Sequence, residues 1–132
     1  MPPEWLASNP PKPFEFYDEP SHAAAVRVSD DGRFVYASNR GHDSIAIFEL
    51  GTERKLTVVD YTPSGGRLPW CMSFAASGRF LLCQNQFSAA QGGEPRGLGN
   101  VVVFSVDAAS GRLTPTGAAA EHTNTMAVQA RL

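Results

Sequence analysis

Short stretches of the chain alternate apolar and polar residues, and none shows the sustained 3.6-residue period of an amphipathic helix. The alternation is clear at Val26 and Val28, and again at Ile45 and Ile47. Many residues in these stretches are β-branched or aromatic, which favours strands. Gly32 stands between two of the stretches, where the positive φ that glycine tolerates permits a tight reversal. The pattern therefore predicts an all-β chain built from hairpins.

The chain contains an internal repeat. Residues 26–39 recur as residues 72–85, and residues 44–50 match residues 100–106. The spacing between the copies grows in the second half of the unit because residues 87–97 are inserted. Each copy is predicted to form four short antiparallel strands. The predicted strands are 24–29, 33–39, 44–50 and 56–61 in the first unit, and 70–75, 79–85, 100–106 and 113–119 in the second.

Four strands per unit, repeated at this spacing, are typical of the blades of a β-propeller. A propeller ring needs about four to eight blades. The chain provides two, and residues 126–132 are predicted to be the first, inner strand of a further, closing blade. Residues 1–20 contain six prolines and are predicted to be a lead-in outside any blade. The predicted organisation is a lead-in at 1–20, a blade at 21–66, a blade at 67–125 with a rim insertion at 87–97, and a closing strand at 126–132.

Composition narrows the range of functions. With 132 residues, 42% of them hydrophobic and 18% charged, the chain can bury a core and is not disordered throughout. The 11 basic and 13 acidic residues give a net charge of −2 without any run of like charge, which argues against a nucleic-acid partner. No apolar stretch suits a membrane span or a secretory signal, so we expect no membrane partner and a cytoplasmic location. Nothing in the sequence indicates a cofactor or a metal site.

The two cysteines lie on neighbouring predicted strands. Cys71 and Cys83 flank the predicted turn at Gly78, and their spacing predicts that they are cross-strand neighbours. Free thiols in the core are favoured in a reducing compartment, and a disulfide is the alternative.

Residues 37–48 resemble the seven-bladed propeller lactonase family, which includes bacterial-type 6-phosphogluconolactonases and carboxy-cis,cis-muconate cyclases. The most specific element is the run at 39–44, which reads Asn-Arg-Gly-His-Asp-Ser. The second unit agrees with the family at 65–69 and at 111–117. The resemblance covers about residues 20–132 and implies the C-terminal part of a longer propeller.

The resemblance also implies site residues. Arg40, in a rim loop after the second strand, matches an arginine of the family's site. Its guanidinium would bind a phosphate or carboxylate of the substrate, or the oxyanion formed when water attacks a lactone carbonyl. The alternative is that Arg40 pairs with Asp43 or faces water. His42, in the same loop, and His22, before the innermost strand, are the candidate acids or bases; their alternatives are a polar loop residue and a surface residue.

Two positions depart from the family pattern. Ala25 stands where many relatives have an acidic residue, and Trp70 stands where they have an arginine after the proline of the second inner strand. Both replacements remove a charged side chain. If these positions face the central channel of the propeller, the site lacks a base and an anion-binding group there. Trp70 would then stack on a sugar ring, or it packs between blades, which is the commoner use of tryptophan.

The function implied is that of a fragment of a propeller lactonase. Such an enzyme hydrolyses a lactone of a small anionic sugar acid, such as 6-phosphogluconolactone, or forms the lactone by cyclising the open acid. Because the site is shared among blades, we expect the isolated fragment to be inactive. The alternative, from a different class, is a non-catalytic truncated propeller fragment or a binding or scaffold module. Open blade faces favour self-association of such a piece, including assembly of several copies into a ring.

Overall fold

A computed structural model of the chain describes residues 22–88 and 98–123. Eight strands form two four-stranded antiparallel sheets, each with its strands in chain order. A short 3-10 helix at Thr52–Arg54 precedes the fourth strand. The first sheet contains β1 (His22–Val28), β2 (Phe34–Arg40), β3 (Ser44–Leu50) and β4 (Leu56–Pro63). The second contains β5 (Gly66–Ala75), β6 (Phe80–Ser88), β7 (Leu98–Val106) and β8 (Leu113–Thr123).

The predicted fold class is confirmed: the structure is nearly all-β, with two four-stranded sheets of the kind that form propeller blades. All eight predicted strands are present, and the largest differences are an earlier start of β5 and a later end of β8. β6 continues to Ser88, so the first residues of the predicted insertion belong to a strand. The remaining insertion residues 89–97, the lead-in at 1–20 and the closing strand at 126–132 lie outside the described residues.

The first hairpin of each sheet turns at the predicted glycine. Gly32 has a φ of 75° and Gly78 has a φ of 85°, both in the left-handed region that glycine adopts without strain. Across the first turn, the Ser29 amide donates a hydrogen bond to the Phe34 carbonyl oxygen at 2.9 Å. Across the second, the Gly78 amide donates to the Ala75 carbonyl oxygen at 3.1 Å.

The predicted pairing of the cysteines is wrong by one residue. Cys83 lies opposite Met72, and Cys71 lies opposite Gln84. Because successive strand residues point to opposite faces of a sheet, the two sulfur atoms are on different faces. No disulfide joins the two thiols. Burial raises the pKa of Cys83 to about 12.

The core lies between the two sheets. The Tyr36 hydroxyl donates a buried hydrogen bond to the Gly111 carbonyl oxygen at 2.7 Å, and the Tyr36 ring packs edge-on against Phe74 with centroids 5.5 Å apart. Gly111 lies so close to Phe34 that a Cβ there would be 2.5 Å from the ring. The largest buried apolar side chains are Tyr36, Ile45, Ile47, Met72, Leu81 and Phe104.

Polar contacts at the margins of the core also join the sheets. Arg27 of β1 donates from Nε to the Met72 carbonyl oxygen of β5 at 2.7 Å. Arg112 and Asp60 form an ion pair at 3.0 Å. Both contacts join the first sheet to the second. In the part of the chain that the structure describes, no helix is long and apolar enough to cross a membrane, and the cytoplasmic location stays a prediction.

Candidate functional site

One edge of the molecule brings together the start of β1, the end of β2 and the connection between the sheets. Because β1 and β2 are antiparallel, His22 lies directly opposite Arg40. The turn after β2 is tied to the connection between the sheets, since the Ser64 amide donates to the Asp43 carbonyl oxygen at 2.9 Å. We call this edge the rim; it is formed by His22, residues 40–43, residues 64–70 and Gln86.

At the rim, Arg40 of the first sheet stacks on Trp70 of the second. The guanidinium carbon of Arg40 lies 4.6 Å from the centroid of the Trp70 ring, within the range of a cation–π contact. The indole nitrogen of Trp70 donates a hydrogen bond to Oε1 of Gln86 at 2.6 Å. Gln86, Trp70 and Arg40 therefore form a continuous layer of side chains across the two sheets.

The guanidinium of Arg40 has no counter-ion within residues 22–88 and 98–123. Its Nε is buried and finds no hydrogen-bond partner, and the predicted alternative of an ion pair with Asp43 is not observed. Oδ1 of Asp43 instead accepts hydrogen bonds from the amides of Leu68 at 2.8 Å and Gly41 at 3.2 Å. An arginine placed in this way is suited to bind an oxyanion from outside the protein.

Arg40 is the last residue of β2 and not, as predicted, a residue of the loop that follows. Asp43 connects this loop, which carries His42, to the start of β5. Its backbone is left-handed, with a φ of 62°, and its carboxylate accepts the hydrogen bond from the Leu68 amide. Burial raises the pKa of Asp43, and the two amide hydrogen bonds with Leu68 and Gly41 oppose this rise. Because its carboxylate serves these amides, Asp43 fixes the shape of the turn.

Both candidate histidines lie at the rim. His22 is exposed at the start of β1. Nδ1 of His42 is 2.6 Å from the hydroxyl oxygen of Ser44, and its ring meets Tyr61 edge-on with centroids 6.3 Å apart. The ring of His42 is therefore held in one orientation. Among the described residues, no three His, Cys, Asp or Glu side chains cluster closely enough to hold a metal ion.

The two positions that depart from the family pattern have different surroundings. Ala25 packs against the core, and its amide donates to the hydroxyl of Ser38 at 3.0 Å. Trp70 contacts the candidate anion-binding residue itself, a role that the sequence did not suggest. The internal repeat held one signal for this arrangement, because Gln86 occupies in the second unit the position that Arg40 occupies in the first.

Comparison with known proteins gives the class. Residues 6–130 match the model of the family described as lactonase, 7-bladed beta-propeller, and the chain belongs to this family. An uncharacterised protein of Staphylococcus saprophyticus is 44% identical over 73 residues, which are 54% of this chain and 21% of that protein. An uncharacterised protein of Staphylococcus aureus is 39% identical over 101 residues, which are 76% of this chain and 27% of that protein.

Solved structures agree with this assignment. A Bacteroides fragilis protein described as "a putative 6-phosphogluconolactonase" superposes with a TM-score of 0.66 at 25% identity, over 80% of this chain and 27% of that one. The periplasmic gluconolactonase of Pseudomonas aeruginosa superposes with a TM-score of 0.65 at 26% identity, over 81% and 28%. The chain thus spans about a quarter of the length of the relatives it matches.

Proposed function

We propose that the chain supplies one side of the active site of a propeller lactonase that acts on the internal ester of a small anionic sugar acid. The favoured substrate is 6-phosphogluconolactone, and the reaction is hydrolysis or, in reverse, cyclisation. The family assignment and the descriptions of the two bacterial structures support the class of reaction. The guanidinium of Arg40, which has no ion pair with a described residue, supports an anionic substrate.

Arg40 is the proposed anion-binding residue. Its guanidinium lies at the rim without a hydrogen bond or ion pair to any described residue, and the nearby carboxylate of Asp43 is engaged by two amides. A cation in these surroundings gains most from a ligand that brings two oxygen atoms, as phosphate and carboxylate do. The same group would stabilise the negative charge that develops on the carbonyl oxygen when water attacks the lactone.

The base is proposed to be His22 or His42, or a residue of another blade. In the proposed step, a water oxygen bonds to the lactone carbonyl carbon while the base takes the water proton. The ring C–O bond then breaks, and the departing alkoxide takes the proton back from the protonated base, leaving the open hydroxy acid. His22 faces Arg40 across the β1–β2 pair, and Ser44 fixes the ring of His42. Either position would let an imidazole act beside the bound anion.

Replacement of Arg40 in a complete propeller that contains these residues tests the proposal. We expect Arg40→Ala to lower kcat/KM for 6-phosphogluconolactone by about 100-fold, because one stabilising group for the oxyanion is lost. Arg79→Ala is the matched control, since Arg79 also lies over an aromatic ring, that of Phe80, but at the opposite end of the strands. Acid release measured above the spontaneous rate gives the kinetics. Unchanged kinetics for Arg40→Ala would remove Arg40 from the site.

A second candidate function is that of a non-catalytic module that associates through its open sheet faces. Val26 and Val28 of β1 are 57% and 53% exposed, whereas Met72, which matches Val26 in the second unit, is fully buried against the first sheet. An exposed apolar residue at a position that is buried in the other copy favours a further sheet as the partner.

Light scattering after size-exclusion chromatography tests this second candidate. The 14.2 kDa chain is expected to elute as a dimer or larger species, and Val26→Asp with Val28→Asp is expected to shift it toward the monomer. Leu56→Asp, at an exposed position on the outermost strand of the first sheet, is the matched control. A compact monomer of the unmodified chain that melts cooperatively would contradict association.

A further inference from the structure

We infer that Trp70 positions the Arg40 guanidinium so that its two Nη groups, and not its Nε, meet an oxyanion, and that Gln86 holds Trp70 in place. This inference rests on the proposed role of Arg40 in binding the anion. Trp70 and Gln86 are then positioning residues, and the ligand class is a terminal phosphate or carboxylate. Both act through Arg40 and have no assigned contact with the reacting atoms.

The direction of approach follows from the surroundings of the guanidinium. A guanidinium stacked on an aromatic face keeps the edge of its plane for hydrogen bonds. On one side of that edge, Nε of Arg40 is buried and has no partner in the described part of the chain, so an incoming ligand cannot reach it. The two Nη groups remain for the ligand. Their spacing suits two oxygen atoms of one carboxylate or phosphate.

The backbone of β5 explains why Trp70 reaches Arg40. The register between β5 and β6 shifts between Pro69 and Cys71, so Trp70 lies at a β-bulge. A bulge removes its residue from regular pairing and redirects the side chain, and such irregularities are common near functional sites. Here the bulge coincides with the cross-sheet stack on Arg40.

Gln86 limits the rotation of the indole. The 2.6 Å hydrogen bond from the indole nitrogen to Gln86 anchors one end of the ring, while its face supports the guanidinium. No hydrogen bond or ion pair to a described residue holds the guanidinium of Arg40, so the stack has no substitute among them. Loss of the ring, or of its anchor, should therefore leave the guanidinium free to sample several orientations.

NMR of the 132-residue chain tests the positioning directly. In the unmodified protein, the indole ring current should shift the side-chain protons of Arg40 upfield. Trp70→Leu should abolish this shift, Trp70→Phe should keep part of it, and Gln86→Leu should reduce it. Arg79→Ala, which removes an arginine from a different aromatic contact, should leave it unchanged. An Arg40 spectrum that is the same in Trp70→Leu as in the unmodified chain would overturn the inference.

Titration with 6-phosphogluconate and with inorganic phosphate tests the consequence for binding. Trp70→Leu should weaken the affinity for both anions by about five- to tenfold, as expected for the loss of a partly desolvated cation–π contact. Trp70→Phe should restore most of that affinity. On binding, the Nη signals of Arg40 should move while the Nε–H signal stays in place. A large change at Nε–H would contradict the approach through the two Nη groups.

The variants separate this inference from the proposed function. If Arg40→Ala loses anion binding but a folded Trp70→Leu binds as the unmodified chain does, the positioning role is wrong and the proposed role of Arg40 stands. If Arg40→Ala itself binds both anions normally, the proposed function fails. Should Trp70→Leu not fold, Trp70→Phe and Gln86→Leu decide, because normal affinity and an unchanged Arg40 spectrum in both would overturn the inference.

Discussion

The two sheets are copies of one repeat whose backbones agree even in their irregularities. The first sheet has a register shift between Ala23 and Val26, and the second has one at the matching place, beside Trp70. An asparagine near the end of the second strand also bonds to the start of the third in both copies. Asn39 donates to Ser44 at 3.3 Å, and Asn85 donates to Asn100 at 2.9 Å. The repeat therefore specifies the sheet together with its bulge and this amide contact.

The rim is where the two copies differ. Gln86 of the second unit matches Arg40 of the first, and Trp70 matches Ala24. The stack of Gln86, Trp70 and Arg40 takes its residues from positions at which the copies have diverged. This difference indicates that the common backbone supports the site, while its chemistry comes from residues that break the repeat.

The largest expected effect comes from the contact between the sheets at Gly111. Gly111 and Gly117 both have positive φ, but a Cβ at Gly111 would meet the Phe34 ring, whereas nothing lies within 4 Å of a Cβ at Gly117. Gly111→Ala should lower the free energy of unfolding by about 3 kcal/mol, from backbone strain and overpacking together. Gly117→Ala carries only the strain and should cost about 1 kcal/mol. Urea unfolding measures both, and equal losses would show that the sheets do not pack at Gly111.

An intermediate effect is expected for the paired asparagines. Asn85 is fully buried and donates both to the Ser64 carbonyl oxygen and to Asn100, whereas Asn39 is half-buried and makes one longer bond to Ser44. Asn85→Ala should cost about 2 kcal/mol, because it leaves buried partners unsatisfied. Asn39→Ala should cost less than about 1 kcal/mol. A reversed order in thermal or urea unfolding would contradict the stronger hydrogen bonding of Asn85.

The smallest expected effect is on the pH dependence of stability, in which two aspartates should differ. The pKa of Asp43 is raised by burial, so its contribution to stability is present at acidic pH and is lost as the pH rises through its folded-state pKa. Asp43→Asn should therefore be more stable than the unmodified protein at pH 7, by less than about 1 kcal/mol, and asparagine also tolerates the left-handed backbone. The advantage should shrink as the pH falls.

Asp31 provides the matched control with the opposite sign. Its pKa is lowered by hydrogen bonds from the Ser29 hydroxyl and the Arg33 amide. Its contribution is present above the unfolded pKa and is lost as the pH falls through the folded pKa. Asp31→Asn should therefore destabilise the protein at pH 7 and less so in acid. Urea unfolding midpoints measured from acidic pH to pH 7 test both variants. If both substitutions changed the stability at pH 7 in the same direction, the surroundings of the two aspartates would not differ as described.

The strands could be predicted from the sequence because alternation and turn glycines are local signals that the repeat gives twice. The register of the cysteines could not, since β6 has two adjacent leucines, Leu81 and Leu82, and alternation does not decide which of them shares a face with Phe74. Arg40 was found through the family motif. Its contact with Trp70 depends on packing between two sheets and on a bulge, neither of which has a signature in the local sequence.

Mapping the bound anion on the labelled chain tests the central claim most directly. Addition of 6-phosphogluconate is expected to shift the amide signals of His22, Arg40 and His42 and the indole signal of Trp70, all of which lie at the rim. Even weak binding is visible in such spectra. The absence of shifts at high ligand concentration, or shifts confined to the hairpin turns at Gly32 and Gly78 at the opposite end of the strands, would contradict an anion site built on Arg40.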